Sequence, residues 1–163
     1  MRTSRRIARY LFGALVAAGQ PAWAGQLQIA VITAPAEPRL TFDRDTLRNV
    51  YLKRIFVDGD GLKLTPVNLP TDAPLRDAFS RTIVRMPAAR LQDYWDKQYF
   101  QGVSPPYVLG SDEAVVRFVA ATPGAIGYVA SCHVDTSVHV VALLPWPAGM
   151  TNMPALCPDR AGP

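Results

Sequence analysis

The chain has only two cysteines and two histidines among its 163 residues, and this scarcity limits the chemistry it can carry. His133 and His139 are six residues apart and form neither HxH nor HExxH, the spacings typical of a metal site. Cys132, His133 and Asp135 have the residue types of a cysteine nucleophile, but adjacent residues of a strand point to opposite faces. The sequence therefore predicts no enzyme, no metal site and no cofactor.

Residues 25–163 have no excess of either positive or negative charge. Four of the seventeen basic residues lie in residues 1–24, which include no acidic residue, so thirteen basic and thirteen acidic residues remain after them. The net charge of residues 25–163 is therefore close to zero. Without a basic field there is no basis for nucleic-acid binding.

The apolar run near the amino terminus is too short to span a membrane. It extends from Tyr10 to Ala18, about half of the roughly 20 residues that a spanning helix needs. Arginines precede it, and Ala22-Trp23-Ala24 follows with the small-x-small pattern of a cleavage site. These features predict a cleavable secretory signal over residues 1–24 and export by the general secretory route. No cysteine lies at the cleavage point, which argues against a lipid anchor.

The two cysteines, Cys132 and Cys157, are candidates for a disulfide because an exported chain meets an oxidising compartment. Such a bridge would stabilise the fold by about 3.5 kcal/mol in a loop-closure model. Two independent thiols are the alternative.

Alternating strand and helix patterns predict an α/β domain with a mixed or mostly parallel sheet over residues 25–145, followed by a proline-rich, irregular tail over 146–163. Period-two patterns predict strands over 26–33, 62–69 and 138–144, and residues 121–131 are predicted to form a turn followed by a further strand. Helices are predicted over 43–55 with Asp43 as cap, from Pro74 with Thr71 or Asp72 as cap, from Pro87, and after Ser111.

Two segments of the predicted domain suggest close contacts. In ATPGAIGYVAS, residues 121–131, two glycines lie three apart before an apolar strand. They indicate a close approach to a ligand or to another segment, or tight packing of a buried strand. In VNLPTDAP, residues 67–74, a strand leads into a helix whose first N–H groups and dipole can hold an anion. That second feature is common to every strand-to-helix junction.

Five segments together resemble one lobe of the phosphate-binding family of periplasmic substrate-binding proteins (PstS-like). They are YLKRIFVDGDGLKLTPVNLP, PLRDAFSR, LQDYWDKQYFQG, PPYVLGSDEAVVRFV and TPGAIGYV, and they cover roughly residues 40–130. The resemblance implies a single periplasmic-binding-protein-like lobe with a mixed, mostly parallel sheet flanked by helices. It also implies a periplasmic, non-enzymatic module that binds phosphate or a similar small anion and works with an ABC permease.

Seven residues are candidate ligand contacts under this resemblance: Asn68, Thr71, Asp72, Ala73, Arg76, Gly124 and Gly127. Asn68 and Asp72-Ala73-Pro74 stand where the family has an arginine and Ser-Gly-Thr. Arg76 is the remaining cation near the helix start, and a solvated arginine is its alternative interpretation.

Full family members also have a second lobe on the other side of the ligand. In this chain a homodimer or a second protein would have to supply that wall. The alternative function is an accessory or structural envelope protein that kept the fold, lost anion binding and acts through a protein partner.

Overall fold

A computed structural model describes residues 28–35, residues 42–150 and Cys157. The predicted signal over 1–24 lies outside the described residues, as does most of the predicted tail. No helix in the described part of the chain is long and apolar enough to cross a membrane.

The described elements alternate along the chain as the sequence patterns predict. In chain order they are β1 Gln28–Thr33, α1 Arg44–Tyr51, β2 Thr65–Asn68, α2 Pro74–Phe79, a π-helical turn Ser80–Val84, α3 Ala88–Tyr99, β3 Tyr107–Val108, α4 Asp112–Ala121, β4 Ala125–Ala130, a 3-10 turn Ser131–His133, and β5 His139–Pro145.

The five strands form one mixed sheet in the order β3-β2-β4-β1-β5. β2 is parallel to β3 and β4, whereas β1 is antiparallel to both β4 and β5. Four of the five strands therefore share one direction. The predicted mixed, mostly parallel sheet is confirmed.

Helices cover both faces of this sheet, and β4 shows which helix lies on which face. A Cβ on Gly127 would meet Val115 and Val119, so α4 packs closely on this side. The next side chain, Tyr128, points the other way and contacts Tyr51 of α1 and stacks on Phe79 of α2. The core lies in two layers, one on each side of the sheet.

Three predicted boundaries are wrong, each because a turn was not recognised. The first helix ends at Tyr51 rather than near Ile55, because Lys53 takes a left-handed conformation (φ 54°) and donates its N–H to Val50 O. The second strand begins at Thr65 rather than Leu62, since a bridge between Val57 and Lys63 precedes it. The cap of α2 is Ala73, which has no side-chain cap bond, and not Thr71 or Asp72.

Other local predictions hold within a residue or two. Asp43 and Ser111 cap α1 and α4 with side-chain oxygens that accept from Thr46 N and Ala114 N. The last strand, His139–Pro145, lies one residue later than predicted. The two-residue β3 was not predicted.

The predicted disulfide is present in the structure. Cys132 and Cys157 are joined, with their Cα atoms 6.0 Å apart. Cys132 belongs to the 3-10 turn that directly follows β4. The bond therefore ties residue 157 to the carboxyl end of a central strand.

Candidate functional site

The carboxyl ends of the parallel strands meet at one edge of the sheet, where open α/β sheets bind their ligands. β2 ends there at Asn68, β3 at Val108 and β4 at Ala130. From this edge the chain continues from β2 into α2 and from β3 into α4. Five of the seven ligand contacts predicted from the sequence lie at the junction between β2 and α2.

A buried tyrosine fixes the chain where it leaves β2. The hydroxyl of Tyr128 accepts from Leu69 N at 3.4 Å and donates to Asn68 Oδ1 at 3.1 Å. Burial raises the pKa of Tyr128 well above its ordinary value. The side chain of Asn68 is therefore a structural partner of Tyr128.

Arg76 is anchored at the same junction. Its Nη1 donates to Leu69 O at 2.7 Å, and the side chain is half-buried. A guanidinium has five N–H donors, so one bond to a carbonyl leaves others available. Arg76 is thus positioned beside the end of β2 rather than freely solvated.

An open cleft of 620 Å³ lies between the π-helical turn and α3. We call it the arginine cleft, and the lining residues that matter here are Thr71, Arg76, Ser80, Arg81, Arg85, Met86, Leu91 and Trp95. Its lining is polar along α2 and the π-helical turn, whereas α3 contributes the apolar Leu91 and Trp95 and the polar Gln92.

The lining of the cleft is positively charged. Three arginines and one aspartate, Asp77, line it, so the lining residues carry a net charge of +2. Arg81 Nε lies 3.0 Å from both carboxylate oxygens of Asp77. Arg85 Nη1 lies 3.8 Å from Asp45 Oδ1, in an exposed pair that contributes little. The arrangement suits an anion.

The structure brings together five of the seven predicted residues. Thr71 and Arg76 line the cleft, and Asn68 is the last residue of β2, where it accepts from the Tyr128 hydroxyl. Asp72 is exposed in the turn before α2. Ala73 donates its N–H to Pro70 O at 3.0 Å, which uses a donor that the helix start could have offered to an anion.

The structure separates the two predicted glycines from this junction. Gly124 precedes β4 at the other end of the sheet, with φ +74°, and a Cβ there would lie 2.0 Å from Lys63 O. Gly127 faces α4, on the opposite side of the sheet from α2. Both glycines have a steric reason to be glycine: one allows a close approach of another segment, the other tight helix packing.

Several cleft residues were not found from the sequence. Ser80, Arg81, Arg85, Met86, Leu91 and Trp95 come from two helical segments that only the fold brings together. The available signal was the recurrence of arginine at positions 76, 81 and 85, one or two turns apart before Pro87. Tyr128 was also missed, because an aromatic residue in a buried strand is ordinarily a core residue.

The residues that could have suggested enzyme chemistry have structural partners. Cys132 is in the disulfide. His133 Nδ1 lies 2.7 Å from Asp112 Oδ2, and the same oxygen accepts from Ala130 N at 3.0 Å. Among the described residues, no group of three or more His, Cys, Asp or Glu side chains could hold a metal ion.

A five-stranded mixed sheet with helices on both faces, and a cleft near the carboxyl ends of its parallel strands, defines one lobe of a periplasmic-binding-protein-like fold. Solved structures of phosphate receptors share it. An ABC-type phosphate transport receptor from Vibrio cholerae is 18% identical with a TM-score of 0.57, over 71% of this chain and 46% of that one.

Two further solved structures have the same fold over a similar share of this chain. A putative phosphate ABC transporter substrate-binding protein with bound phosphate, from Clostridium perfringens, is 21% identical with a TM-score of 0.58, over 71% of this chain and 45% of that one. PstS from Borrelia burgdorferi is 15% identical with a TM-score of 0.54, over 74% of this chain and 47% of that one.

These likenesses identify the fold as PstS-like. At such identities they show the fold alone. The chain spans less than half the length of each of these neighbours. No protein-family model matches the chain, and no curated protein matches it.

Proposed function

We propose that this chain is a non-enzymatic binding module of the solute-binding type, which holds phosphate or a similar small anion at the junction of β2 and α2. The observation that carries the proposal is the position of Arg76. Its guanidinium is fixed on Leu69 O at 2.7 Å and lines an open, positively charged cleft. A guanidinium fixed in advance loses little freedom when it binds an anion.

Binding at this junction is expected to be weak. Pro74 has no N–H, the N–H of Ala73 is bonded to Pro70 O, and Asp72 places a negative charge beside the helix start. The matched part of this chain covers less than half of each neighbour in the structural comparison. A second copy of the chain, an ABC permease or another envelope protein would supply the other wall of the site.

The proposed location is the periplasm. Residues 1–24 would be removed on export, leaving the domain of residues 25–145 with its tail and no lipid anchor. The disulfide between Cys132 and Cys157 supports an oxidising compartment. The intact mass of the protein from a periplasmic fraction would test this, with Gly25 as the expected first residue.

Binding of a protein partner is a second candidate function, favoured by exposed aromatic side chains. Tyr99 and Phe100 at the end of α3 are 70% and 89% exposed, and Tyr107 on the edge strand β3 is 67% exposed. The rings of Tyr99 and Phe100 are neighbours, with centroids 6.3 Å apart, and neighbouring exposed apolar side chains are characteristic of interaction surfaces. Under this alternative, the chain keeps the fold but no longer binds an anion, and it acts through a protein partner.

Amide chemical shifts can separate the two candidates. Phosphate added to the labelled protein should shift the amides between Leu69 and Arg76, apart from Pro70 and Pro74, which have none, progressively and saturably. The shifts should disappear in Arg76→Ala and persist in Arg117→Ala, which removes an exposed arginine from α4 on the other face of the sheet. Shifts that are absent, or that persist in Arg76→Ala, would contradict anion binding at this junction.

A further inference from the structure

The arginine cleft is larger and more apolar than an inorganic anion requires. Its 620 Å³ falls within the range of about 300–1,000 Å³ typical of small-molecule pockets. Phosphate would occupy only a small part of it. The arginines come from α2 and the π-helical turn with its cap, while Met86, Leu91 and the half-buried Trp95, together with the polar Gln92, come from α3 and the residues just before it.

Arg85 combines a backbone conformation in which glycine would be more stable with a side chain that lines the cleft. Arg85 adopts a left-handed conformation with φ 55°, which glycine tolerates far better than any residue with a Cβ. Its N–H caps the π-helical turn by donating to Ser80 O at 2.8 Å, a bond that glycine would make equally well. The nearest acidic group described is Asp45, 3.8 Å away and exposed.

The π-helical turn itself shapes the cleft. The five residues Ser80–Val84 are wound more widely than the α-helix before them. Turns of this kind are rare and are found frequently at functional sites. Here the turn carries Ser80 and Arg81, which both line the cleft, and it ends at Arg85.

We propose that the arginine cleft binds an organic anion, in which a carboxylate or phosphate ester is carried on an aromatic or branched aliphatic body. The anionic head would lie among Arg76, Arg85 and Ser80, which offer charged and hydroxyl donors. The body would lie on Trp95 and Met86, which offer an aromatic face and a flexible apolar surface. This inference rests on the proposed anion binding and names the class of ligand.

Calorimetry with four probes tests the ligand class. Phenyl phosphate or benzoate should bind at least about tenfold more tightly than inorganic phosphate, because a buried phenyl ring adds apolar contact. Benzyl alcohol, which keeps the ring and lacks the charge, should bind too weakly to detect. Comparing the two anions tells which head group the cleft prefers.

A pair of glycine variants tests the role of Arg85 independently of folding. Arg85→Gly should raise the melting temperature by relieving the left-handed backbone, yet weaken phenyl phosphate or benzoate binding by about tenfold. Lys53→Gly is the matched control, because Lys53 has the same backbone conformation (φ 54°) outside the cleft. It should raise the melting temperature and leave the affinity unchanged.

The outcomes separate this inference from the function on which it rests. If inorganic phosphate binds through Arg76 as tightly as phenyl phosphate and benzoate do, anion binding stands and the organic-anion proposal is wrong. If benzyl alcohol binds as well as the anions, or if Arg85→Gly leaves affinity unchanged, the proposal is also wrong. If only an acidic peptide binds, or if no anion binds, both the proposal and the proposed function fail.

Discussion

At the scale of single residues, the fold explains why two glycines lie three residues apart in ATPGAIGYVAS, residues 121–131. The pattern of Gly124 and Gly127 predicted correctly that the backbone is approached closely, but it did not identify the neighbour. In the structure, the carbonyl of Lys63 approaches Gly124, and the valines of α4 pack against Gly127. A sequence cannot distinguish these causes, because the approaching group comes from a distant part of the chain.

Alanine substitutions at the two glycines should therefore destabilise the fold to different degrees. Gly127→Ala places a Cβ 2.5 Å from Val115 Cγ1 and should lower the free energy of unfolding by about 1–3 kcal/mol. Gly124→Ala should cost more, since its Cβ meets a backbone oxygen and its φ is +74°. Urea denaturation measures both effects.

Gly110→Ala is the control for this pair, because a Cβ there would have no neighbour within 4 Å. It should change the free energy of unfolding little. If Gly127→Ala were as stable as Gly110→Ala, the close packing of α4 on β4 described above would be incorrect.

At the scale of secondary-structure elements, two of the three predicted side-chain caps were correct, the cap of α2 was wrong, and tertiary contacts were not predicted. Asp43 and Ser111 were identified as caps because a cap depends on residues within one helical turn. The edge strand β3 was missed because its two residues are a strand only through pairing with β2. The arginine cleft was missed for the same reason, since its two sides come from separate helical segments.

The cap of α1 predicts a dependence of stability on pH. Asp43 Oδ1 accepts from Thr46 N at 2.6 Å, and this bond lowers the pKa of the carboxyl below its ordinary 3.8. A carboxyl whose pKa is lowered by folding stabilises the folded state above its unfolded pKa. That contribution is lost as the pH falls from 3.8 through the lower folded pKa.

Asp43→Asn keeps a side-chain oxygen for the cap but does not titrate. The difference in free energy of unfolding between wild type and Asp43→Asn should therefore shrink as the pH is lowered from 7 to about 3. Urea denaturation at both pH values measures it. A difference that stays constant with pH would mean that the charge on Asp43 does not support the cap.

At the scale of the whole molecule, the resemblance seen in the sequence and the structural likeness agree on the fold. Motifs such as TPGAIGYV indicated a PstS-like lobe because they occur at turns that the fold requires. The sequence also placed Arg76 near the start of α2, but it could not show that Leu69 O holds the guanidinium. A contact of this kind depends on the three-dimensional path of the chain after β2.

The disulfide should contribute to the stability of the whole domain. It closes a separation of 25 residues, for which the loop-closure model gives at most about 3.5 kcal/mol. Adding a reductant should lower the urea midpoint of the wild type. A double variant, Cys132→Ser with Cys157→Ser, should have a low midpoint that reductant does not change. An unchanged wild-type midpoint after confirmed reduction would contradict a stabilising role.

Calorimetric titration of the purified protein with phosphate, and then with sulfate, at low salt tests the central claim most directly. We expect saturable heat in the wild type and in Arg117→Ala, and its loss in Arg76→Ala. No heat up to millimolar phosphate, or binding that survives Arg76→Ala, would contradict an anion site at the junction of β2 and α2.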